Sequence, residues 1–291
     1  LSSSSAASDV YQRQKTYRAN IWAKFVKACK EYELIKPHDH ICVCISGGKD
    51  SMLMAKLFQE LHRHSDFEFD VTYLVMDPGY NEINRQVIMN NLELLKIPAV
   101  VKNTDIFEIA NSQEKNPCYL CAKMRRGALY RIAKELGCNK IALGHHYDDV
   151  IETILMNMLN AGSFQTMLPK LHSANYEGME LIRPMYLIRE ADILRWKKYN
   201  NLQFIQCACR FTENCAICDN GGGGSQRANT KHLIHELLDY NPMVEKNIFK
   251  SAQNVNLDKI IAYKKGKEIH SYLDTYLSLI HISEPTRRSY I

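Results

Sequence analysis

The sequence predicts an α/β fold built on a doubly wound parallel sheet. Short apolar runs rich in β-branched residues alternate along the chain with longer segments in which apolar residues recur at helical spacing. The first pattern is typical of buried strands and the second of amphipathic helices. Strands that alternate with helices form right-handed βαβ units on one sheet. A chain of 291 residues, 46% of them hydrophobic, can bury the core that this architecture needs.

Each element follows from the pattern of its own segment. Strands are predicted at the apolar, β-branched runs over residues 41–45, 71–76, 99–101, 140–143 and 181–186. Helices are predicted where apolar residues fall on one face, over residues 21–33, 52–62, 82–96, 122–136, 148–159, 190–199 and 230–239. Turn residues separate these elements: Pro37 ends the first helix, Pro78 and Gly79 follow the second strand, and Gly137 is a natural C-cap.

The chain divides into four segments. We expect a helical N-terminal segment over residues 1–36, the α/β domain over 37–200, and a Cys-rich loop followed by a helical region over 201–276. Residues 277–291 (LSLIHISEPTRRSYI) resemble a translated sequencing adapter, and we expect them to be a non-native tail. A native C-terminal strand and tail is the alternative.

Composition and charge exclude several classes of protein. The longest apolar runs are far shorter than the roughly 18 residues that cross a bilayer, so we expect no membrane partner. Residues 1–9 lack the basic start and apolar run of a secretory signal, which predicts a cytoplasmic location. The net charge of +5 is compatible with an RNA-binding face. In a reducing compartment, ten cysteines favour metal binding, redox chemistry or sulfur transfer over disulfides.

A glycine turn follows the first predicted strand, and loops at such strand ends form the sites of doubly wound sheets. Its six residues are Ser46, Gly47, Gly48, Lys49, Asp50 and Ser51. The glycines expose backbone N–H groups, the following helix N-terminus adds partial positive charge, and Lys49 adds a full charge. The turn is therefore predicted to bind phosphates. Its spacing differs from the Walker A pattern, and an ordinary glycine turn with Asp50 as N-cap is the alternative.

A second loop follows the fourth predicted strand and consists of Gly144, His145, His146, Tyr147, Asp148 and Asp149. The helix dipole favours carboxylates at a helix start, and carboxylates beside a triphosphate are natural ligands of Mg²⁺. We expect Asp50 and one or both of Asp148 and Asp149 to hold Mg²⁺, with the histidines near the nucleotide. An N-cap with an acidic first turn is the alternative.

Cysteines form three clusters in the sequence. Cys118 and Cys121 form a C-x-x-C directly before a predicted helix, and the other clusters are Cys207 with Cys209 and Cys215 with Cys218. Thiolates select zinc or iron–sulfur clusters, and a C-x-x-C is also typical of a redox pair. The arginines that follow the first pair, Arg125 and Arg126, are placed to reach RNA phosphate or ATP; a solvated helix face is the alternative.

The segment SGGKDS after the first strand resembles the pyrophosphate loop of the PP-loop ATP pyrophosphatase superfamily, and GHHYDD resembles its G-H-x-x-D-D segment. The resemblance implies a Rossmann-like fold of the adenine nucleotide alpha hydrolase type, with residues 37–200 as the ATP-binding domain. It also implies that ATP is cleaved between its α- and β-phosphates and that a substrate is adenylated. Lys49, Asp50 and Asp149 are then the catalytic residues. All six residues of the turn, Lys49 and Asp50 included, bind the nucleotide together with Gly144 and Asp148.

With a split C-x-x-C and a distant cysteine added, the sequence resembles the tRNA 2-thiocytidine synthetases, the TtcA family. The resemblance runs from about residue 17 to 256 and includes PCYLCAKMRRGAL, LIRPMYLIRE and KNIFKSAQNV. It implies a [4Fe-4S] cluster held by three cysteines, with one iron open for sulfur. Cys118 and Cys121 match the first two ligands; the third is Cys207, with Cys215 as the alternative. The four later cysteines could instead form a zinc knuckle.

The resemblance implies an enzyme that adenylates the C2 oxygen of a tRNA cytidine in the anticodon loop and replaces it with sulfur. Its cofactors are ATP, Mg²⁺ and the [4Fe-4S] cluster. Its partners are tRNA, a sulfur donor such as sulfide or a cysteine desulfurase system, and a second copy in a possible homodimer. Three alternatives stay open: thiolation of a tRNA uridine, adenylation without sulfur such as lysine addition to a cytidine, and a non-catalytic nucleotide- and metal-binding module.

Overall fold

A computed structural model describes residues 17–112, 117–205, 226–274 and 276. The strands are β1 His40–Ile45, β2 Asp70–Asp77, β3 Ala99–Asn103, β4 Lys140–Ala142, β5 Lys170–His172, β6 Glu180–Ile182, β7 Ala262–Lys265 and β8 Glu268–Ser271. The α-helices are α1 Ala23–Glu31, α2 Lys49–His64, α3 Glu82–Leu94, α4 Ile106–Asn111, α5 Pro117–Glu135, α6 Tyr147–Ala161, α7 Glu190–Tyr199, α8 Gln226–Tyr240 and α9 Val244–Ser251. A π-helical turn, Arg18–Trp22, runs directly into α1, and a 3₁₀ turn, Leu257–Lys259, precedes β7.

Six strands form the central sheet in the order β3-β2-β1-β4-β6-β5, and β7 pairs with β8 in a separate hairpin. The first five strands of that order are parallel, whereas β5 runs antiparallel to β6 at the edge. Since β1 lies between β2 and β4, the order of connections reverses between β1 and β4. In doubly wound sheets a ligand crevice forms at such a reversal, outside the carboxyl ends of the two strands. The predicted α/β fold is confirmed.

The sheet is buried on both faces, and β1 explains why its sequence is apolar throughout. Ile41, Val43 and Ile45 point into one core, while Cys42 and Cys44 point into the other. This alternation is the two-residue period of a strand whose two faces are both covered by helices. The first core includes side chains of α1, α2 and α7, and the second includes side chains of α5.

The N-terminal helix belongs to the first core. Ile21 and Phe25 are fully buried, and the Phe25 ring packs edge-on against Phe58 of α2 at 5.6 Å between centroids. Burying aromatic side chains contributes strongly to stability, so this contact ties the N-terminal segment to the sheet. The α1 helix ends two residues before the limit predicted from the apolar stripe, at Glu31.

Several elements differ from the predictions in extent. Strand β6 ends at Ile182 because the chain turns at Pro184, which has no N–H for a ladder bond; Tyr186 N donates to Arg183 O at 3.2 Å instead. Helix α5 begins at Pro117 instead of residue 122, since proline is favoured in the first helical turn. The elements α4, β5, α9 and the β7–β8 hairpin were not predicted.

Across the described ranges, none of the helices combines the length and the apolar character that crossing a membrane requires.

Candidate functional site

The loops after β1 and β4 touch each other at the point where the order of strands reverses. A Cβ added to Gly144 would lie 3.1 Å from the backbone N of Ser51 and 3.2 Å from the backbone C of Asp50. Such distances are shorter than an ordinary van der Waals contact, so only glycine permits this approach. The two sequence motifs are therefore brought together by a backbone contact.

The glycine turn after β1 is shaped as an anion site. Gly47 has φ +82°, a left-handed conformation that favours glycine, and α2 begins at Lys49 with Gly48 as its N-cap. No side chain of the described residues caps this helix start, so Asp50 is not the N-cap that the alternative interpretation required. The Ser51 hydroxyl instead braces the turn, accepting from Ser46 N at 3.1 Å and donating to Gly48 O at 3.0 Å. The first N–H groups of the 16-residue helix thus remain suited to a phosphate.

Lys49 lies between two carboxylates. Its Nζ is 3.2 Å from Asp50 Oδ2 and 3.0 Å from Glu190 Oε1. Burial disfavours the charged amine, but the charges of Asp50 and Glu190 outweigh this effect and raise the pKa of Lys49. Lys49 is therefore a permanent cation at the mouth of the glycine turn.

Asp50 has the features of a cation ligand. Its Oδ1 is buried and has no hydrogen-bond partner among the described residues, with His146 Nε2 at 3.8 Å. Burial raises the pKa of the Asp50 carboxyl, and the charges of Lys49 and His146 oppose that rise. A buried carboxylate oxygen without a partner is costly, and a divalent cation would satisfy it. The residues present therefore fit Mg²⁺.

The loop after β4 holds its carboxylates in fixed positions. His146 and Asp149 form a capping box at the start of α6: His146 N donates to Asp149 Oδ2 at 2.9 Å, and Asp149 N donates to His146 Nδ1 at 3.4 Å. Asp148 turns the other way and accepts from Glu190 N at 2.7 Å and from the Arg189 guanidinium at 3.2 Å. The helix start thus has an N-cap, His146, and an acidic first turn, and Asp149 also lines a cleft together with residues of the glycine turn.

His145 is held neutral inside the cleft. Its Nδ1 is buried without a hydrogen-bond partner among the described residues. Burial and the nearby charge of Arg183 lower the pKa of His145 to about 4. A neutral imidazole is available there to donate or accept a hydrogen bond to a bound ligand.

A cleft of about 390 Å³ joins these groups to helix α5. Its lining includes Ser46, Asp50 and Ser51 of the glycine turn, Gly144, His145 and Asp149 of the second loop, and Arg125 and Leu129 of α5. A volume of this size is in the range of small-molecule sites. Arg125 lines the cleft, whereas the alternative interpretation placed it on a solvated helix face.

Cys121 lies on α5, the helix that also carries the cleft residues Arg125 and Leu129. Its thiol is half-buried and packs against both cores. Tyr80 donates its hydroxyl to Ser46 O at 3.3 Å; burial raises the pKa of Tyr80, Arg125 lowers it, and the charge of Cys121 raises it further. Cys121 is therefore within electrostatic range of a residue that contacts the glycine turn.

The remaining predicted cluster ligands lie outside the described residues. The side chain of Cys118 is one of them, although its backbone is part of α5. Cys207, Cys209, Cys215 and Cys218 fall in the segment 206–225, as does the glycine run, and the tail 277–291 is likewise not described. Both candidates for the third cluster ligand and all four residues of the zinc-knuckle alternative therefore lie outside the described residues.

Sequence reasoning missed four charged residues of the site: Arg189, Glu190, Arg227 and Lys231. Arg227 pairs with Asp149 and Glu152, and Lys231 pairs with Glu190. Glu190 follows the strand next to β4, so its position at the same sheet edge was a usable signal. The two residues of α8 had none, because they reach the site from a distant part of the chain.

Comparison with known proteins identifies the family. A PP-loop domain matches residues 17–210. The tRNA-cytidine(32) 2-sulfurtransferase of Citrifermentans bemidjiense is 33% identical over 247 residues, covering 82% of this chain and 92% of that protein. The chain belongs to the tRNA-cytidine(32) 2-sulfurtransferase family. The resemblance predicted from SGGKDS, GHHYDD and the C-x-x-C is thereby confirmed.

Other members of the tRNA-cytidine(32) 2-sulfurtransferase family show similar coverage. The protein of Acaryochloris marina is 33% identical over 250 residues, covering 84% of each chain, and that of Coxiella burnetii is 32% identical, covering 82% of this chain and 90% of its own length. Among solved structures, the U34-tRNA thiolase NcsA from Methanococcus maripaludis, determined with its [4Fe-4S] cluster, has a TM-score of 0.60 at 20% identity, covering 79% of this chain and 76% of NcsA. At that identity the likeness supports the shared fold.

Proposed function

We propose that this chain is an ATP-dependent tRNA sulfurtransferase that replaces the C2 oxygen of an anticodon-loop cytidine with sulfur. One observation carries the proposal: the glycine turn after β1 and the acidic loop after β4 meet through backbone contact at Gly144, in a cleft that is also lined by Arg125 and Leu129 of the helix that carries the C-x-x-C. Membership of a family whose relatives are named for this reaction supports the choice of base.

The chemistry assigns a role to each part of the cleft. The cytidine C2 oxygen attacks the α-phosphorus of ATP, the bond to pyrophosphate breaks, and the oxygen becomes part of an adenylate. Lys49 and the N-terminus of α2 stabilise the negative charge on the departing pyrophosphate. Sulfide sulfur then adds at C2, and AMP leaves with the former C2 oxygen. An anticodon-loop base has to be unstacked to reach such a site.

Two sets of residues would hold the cofactors. Asp50 and Asp149, with Asp148 as a further candidate, would hold Mg²⁺, which neutralises phosphate charge when bound. Cys118, Cys121 and Cys207, with Cys215 as the alternative to Cys207, would hold a [4Fe-4S] cluster, which supplies an iron site for sulfur when bound. The half-buried Cys121 thiol, on the helix that also carries the cleft residues Arg125 and Leu129, supports this placement.

We also propose the partners of the reaction. Beyond tRNA, the chain needs a sulfur donor, either sulfide or a cysteine desulfurase system. A cytoplasmic location suits the cysteines proposed as cluster ligands, because thiols stay reduced there. A homodimer remains part of the proposal and is checked by the mass of the purified protein in solution.

Incubating the chain, purified without oxygen, with ATP, sulfide and unmodified tRNA tests this function. We expect 2-thiocytidine in the digested tRNA and release of AMP. Lys49→Ala should abolish AMP release and leave the iron content unchanged, whereas Arg131→Ala, which removes an exposed cation paired with Glu135 on α5, should behave as wild type. Sulfur on uridine, or a zinc-only protein without iron, would contradict the proposal.

A further inference from the structure

Arg227 connects the C-terminal helix α8 to the acidic loop. Its guanidinium pairs with Asp149 Oδ1 and lies 3.5 Å from Glu152 Oε2, and it lines the cleft beside the glycine turn. The side chain keeps 44% of its surface exposed. Helix α8 packs against α6, which carries both acids, and begins directly after the Cys-rich segment 206–225.

The position of Arg227 conflicts with cation binding at Asp149. A guanidinium stays charged at any physiological pH, and two cations compete for one carboxylate. A metal ion that takes Asp149 leaves Arg227 with Glu152 as a carboxylate partner 3.5 Å away, and with N–H donors of its guanidinium available for a further anion. The phosphates of a nucleotide seated on the glycine turn would lie across the same 390 Å³ cleft and present oxygens that match the planar guanidinium.

Helix α8 carries a second cation that reaches the groups around the glycine turn. Lys231 lies one helical turn beyond Arg227 and pairs with Glu190, whose other oxygen is 3.0 Å from Lys49 Nζ. Helix α8 thus presents two cations toward the groups that surround the phosphate turn. Its contacts with the cleft are electrostatic and can exchange partners without unfolding the helix.

We propose that Arg227 is a nucleotide-binding residue, which pairs with Asp149 in the free protein and transfers to the phosphates when metal-bound ATP enters. The inference rests on the proposed function, because it takes ATP as the ligand of the cleft. It assigns to the C-terminal region a direct part in nucleotide binding. It also links nucleotide binding to the helix that follows the later cysteines.

The proposal predicts effects of opposite sign on two binding reactions. With Arg227→Ala, Mn²⁺ alone should bind about three- to tenfold more tightly, because the competing cation is gone, and a non-hydrolysable ATP analogue with Mn²⁺ should bind about tenfold more weakly. Free Mn²⁺ is followed by electron paramagnetic resonance and analogue binding by calorimetry, both on the full chain. Arg227→Lys should fall between wild type and Arg227→Ala, and Arg131→Ala should match wild type in both assays.

Two results would overturn the inference alone. One is an Arg227→Ala variant that weakens both kinds of binding, which is the signature of a structural role for Arg227. The other is a variant that binds Mn²⁺ and the analogue as wild type does while the wild type thiolates tRNA. A wild-type chain that binds no ATP analogue would instead overturn the inference and the proposed function together.

Discussion

Gly144 joins the two loops of the site through a contact that leaves no room for a side chain. The approach depends on atoms of Asp50 and Ser51 that belong to the backbone and cannot rotate away. Gly127, in the middle of α5, differs: among the described residues outside the helix backbone, a Cβ there would meet the Tyr176 hydroxyl at 3.8 Å, an ordinary contact. The two glycines therefore form a matched pair for testing the contact.

Gly144→Ala should lower the free energy of unfolding by about 1–3 kcal/mol, because the β4 loop has to move away from α2. The same displacement should weaken binding of an ATP analogue by about tenfold, a loss of about 1.4 kcal/mol. Gly127→Ala should leave binding unchanged and the fold as stable or more so, since alanine favours a helix. Denaturant titration and calorimetry measure both quantities. Equal stability and equal analogue binding in the two variants would contradict the assigned role of the Gly144 contact.

Glu190 gives a prediction about pH. Burial alone would raise the pKa of its carboxyl, but hydrogen bonds and charges from Lys231 and Lys49 outweigh burial and lower the pKa to about 2, from an ordinary value of 4.5. A lowered pKa means that the ionised group stabilises the fold above pH 4.5, and that this contribution is lost as the pH falls toward 2.

Glu190→Gln should therefore cost about 1 kcal/mol of unfolding free energy near neutral pH, and the difference from wild type should shrink as the solution is acidified below pH 4.5. Denaturant titrations of both proteins at several pH values measure this difference in unfolding free energy. Gln86→Ala, at an exposed residue whose amide donates to Asn90, is the control and should show no such pH dependence. A difference between wild type and Glu190→Gln that grows with acidification would contradict the assigned ion pairs.

Among the elements, α5 determines where the first two cysteines lie. The helix begins at Pro117, so Cys118 and Cys121 occupy its first turns, three residues apart, at the end that favours thiolates. Further along, Arg125 and Leu129 line the cleft. The same helix thus carries the proposed cluster ligands and one wall of the nucleotide cleft.

Cys121→Ala and Cys207→Ala should each lose most of the iron while still binding an ATP analogue, since the phosphate turn belongs to other elements. Cys29→Ala, a buried thiol of α1, and Cys215→Ala should both retain iron. Iron content and visible absorption, measured without oxygen, decide the question. Loss of iron in Cys215→Ala but not in Cys207→Ala would move the third ligand to Cys215.

The elements also show which features a sequence can predict. Strand β1 and its glycine turn were predictable because the apolar run, the glycines and the following helix are local signals. Strand β5 spans three residues, Lys170–His172, and β6 ends at Ile182, shortly before Pro184. The length of neither strand follows from a hydrophobic run. The pairing of Arg227 with Asp149 joins residues 78 positions apart and has no local signal at all.

At the scale of the whole molecule, the strand order produces the site. Because β1 and β4 are neighbours with their connections running in opposite directions, the glycine turn and the acidic loop open into one crevice. Helices α5 and α8 approach this crevice from distant parts of the chain and each bring an arginine to it, Arg125 and Arg227. We propose that nucleotide and sulfur chemistry take place at this edge of the sheet.

The central claim is that this edge activates a cytidine oxygen by adenylation before sulfur replaces it. It is tested most directly by a tRNA whose target cytidine carries a heavy oxygen isotope at C2, incubated with the chain, ATP and sulfide. Mass spectrometry of the products should find the heavy oxygen in AMP, with one AMP formed per 2-thiocytidine. AMP without the heavy isotope, alongside thiolated tRNA, would contradict the account.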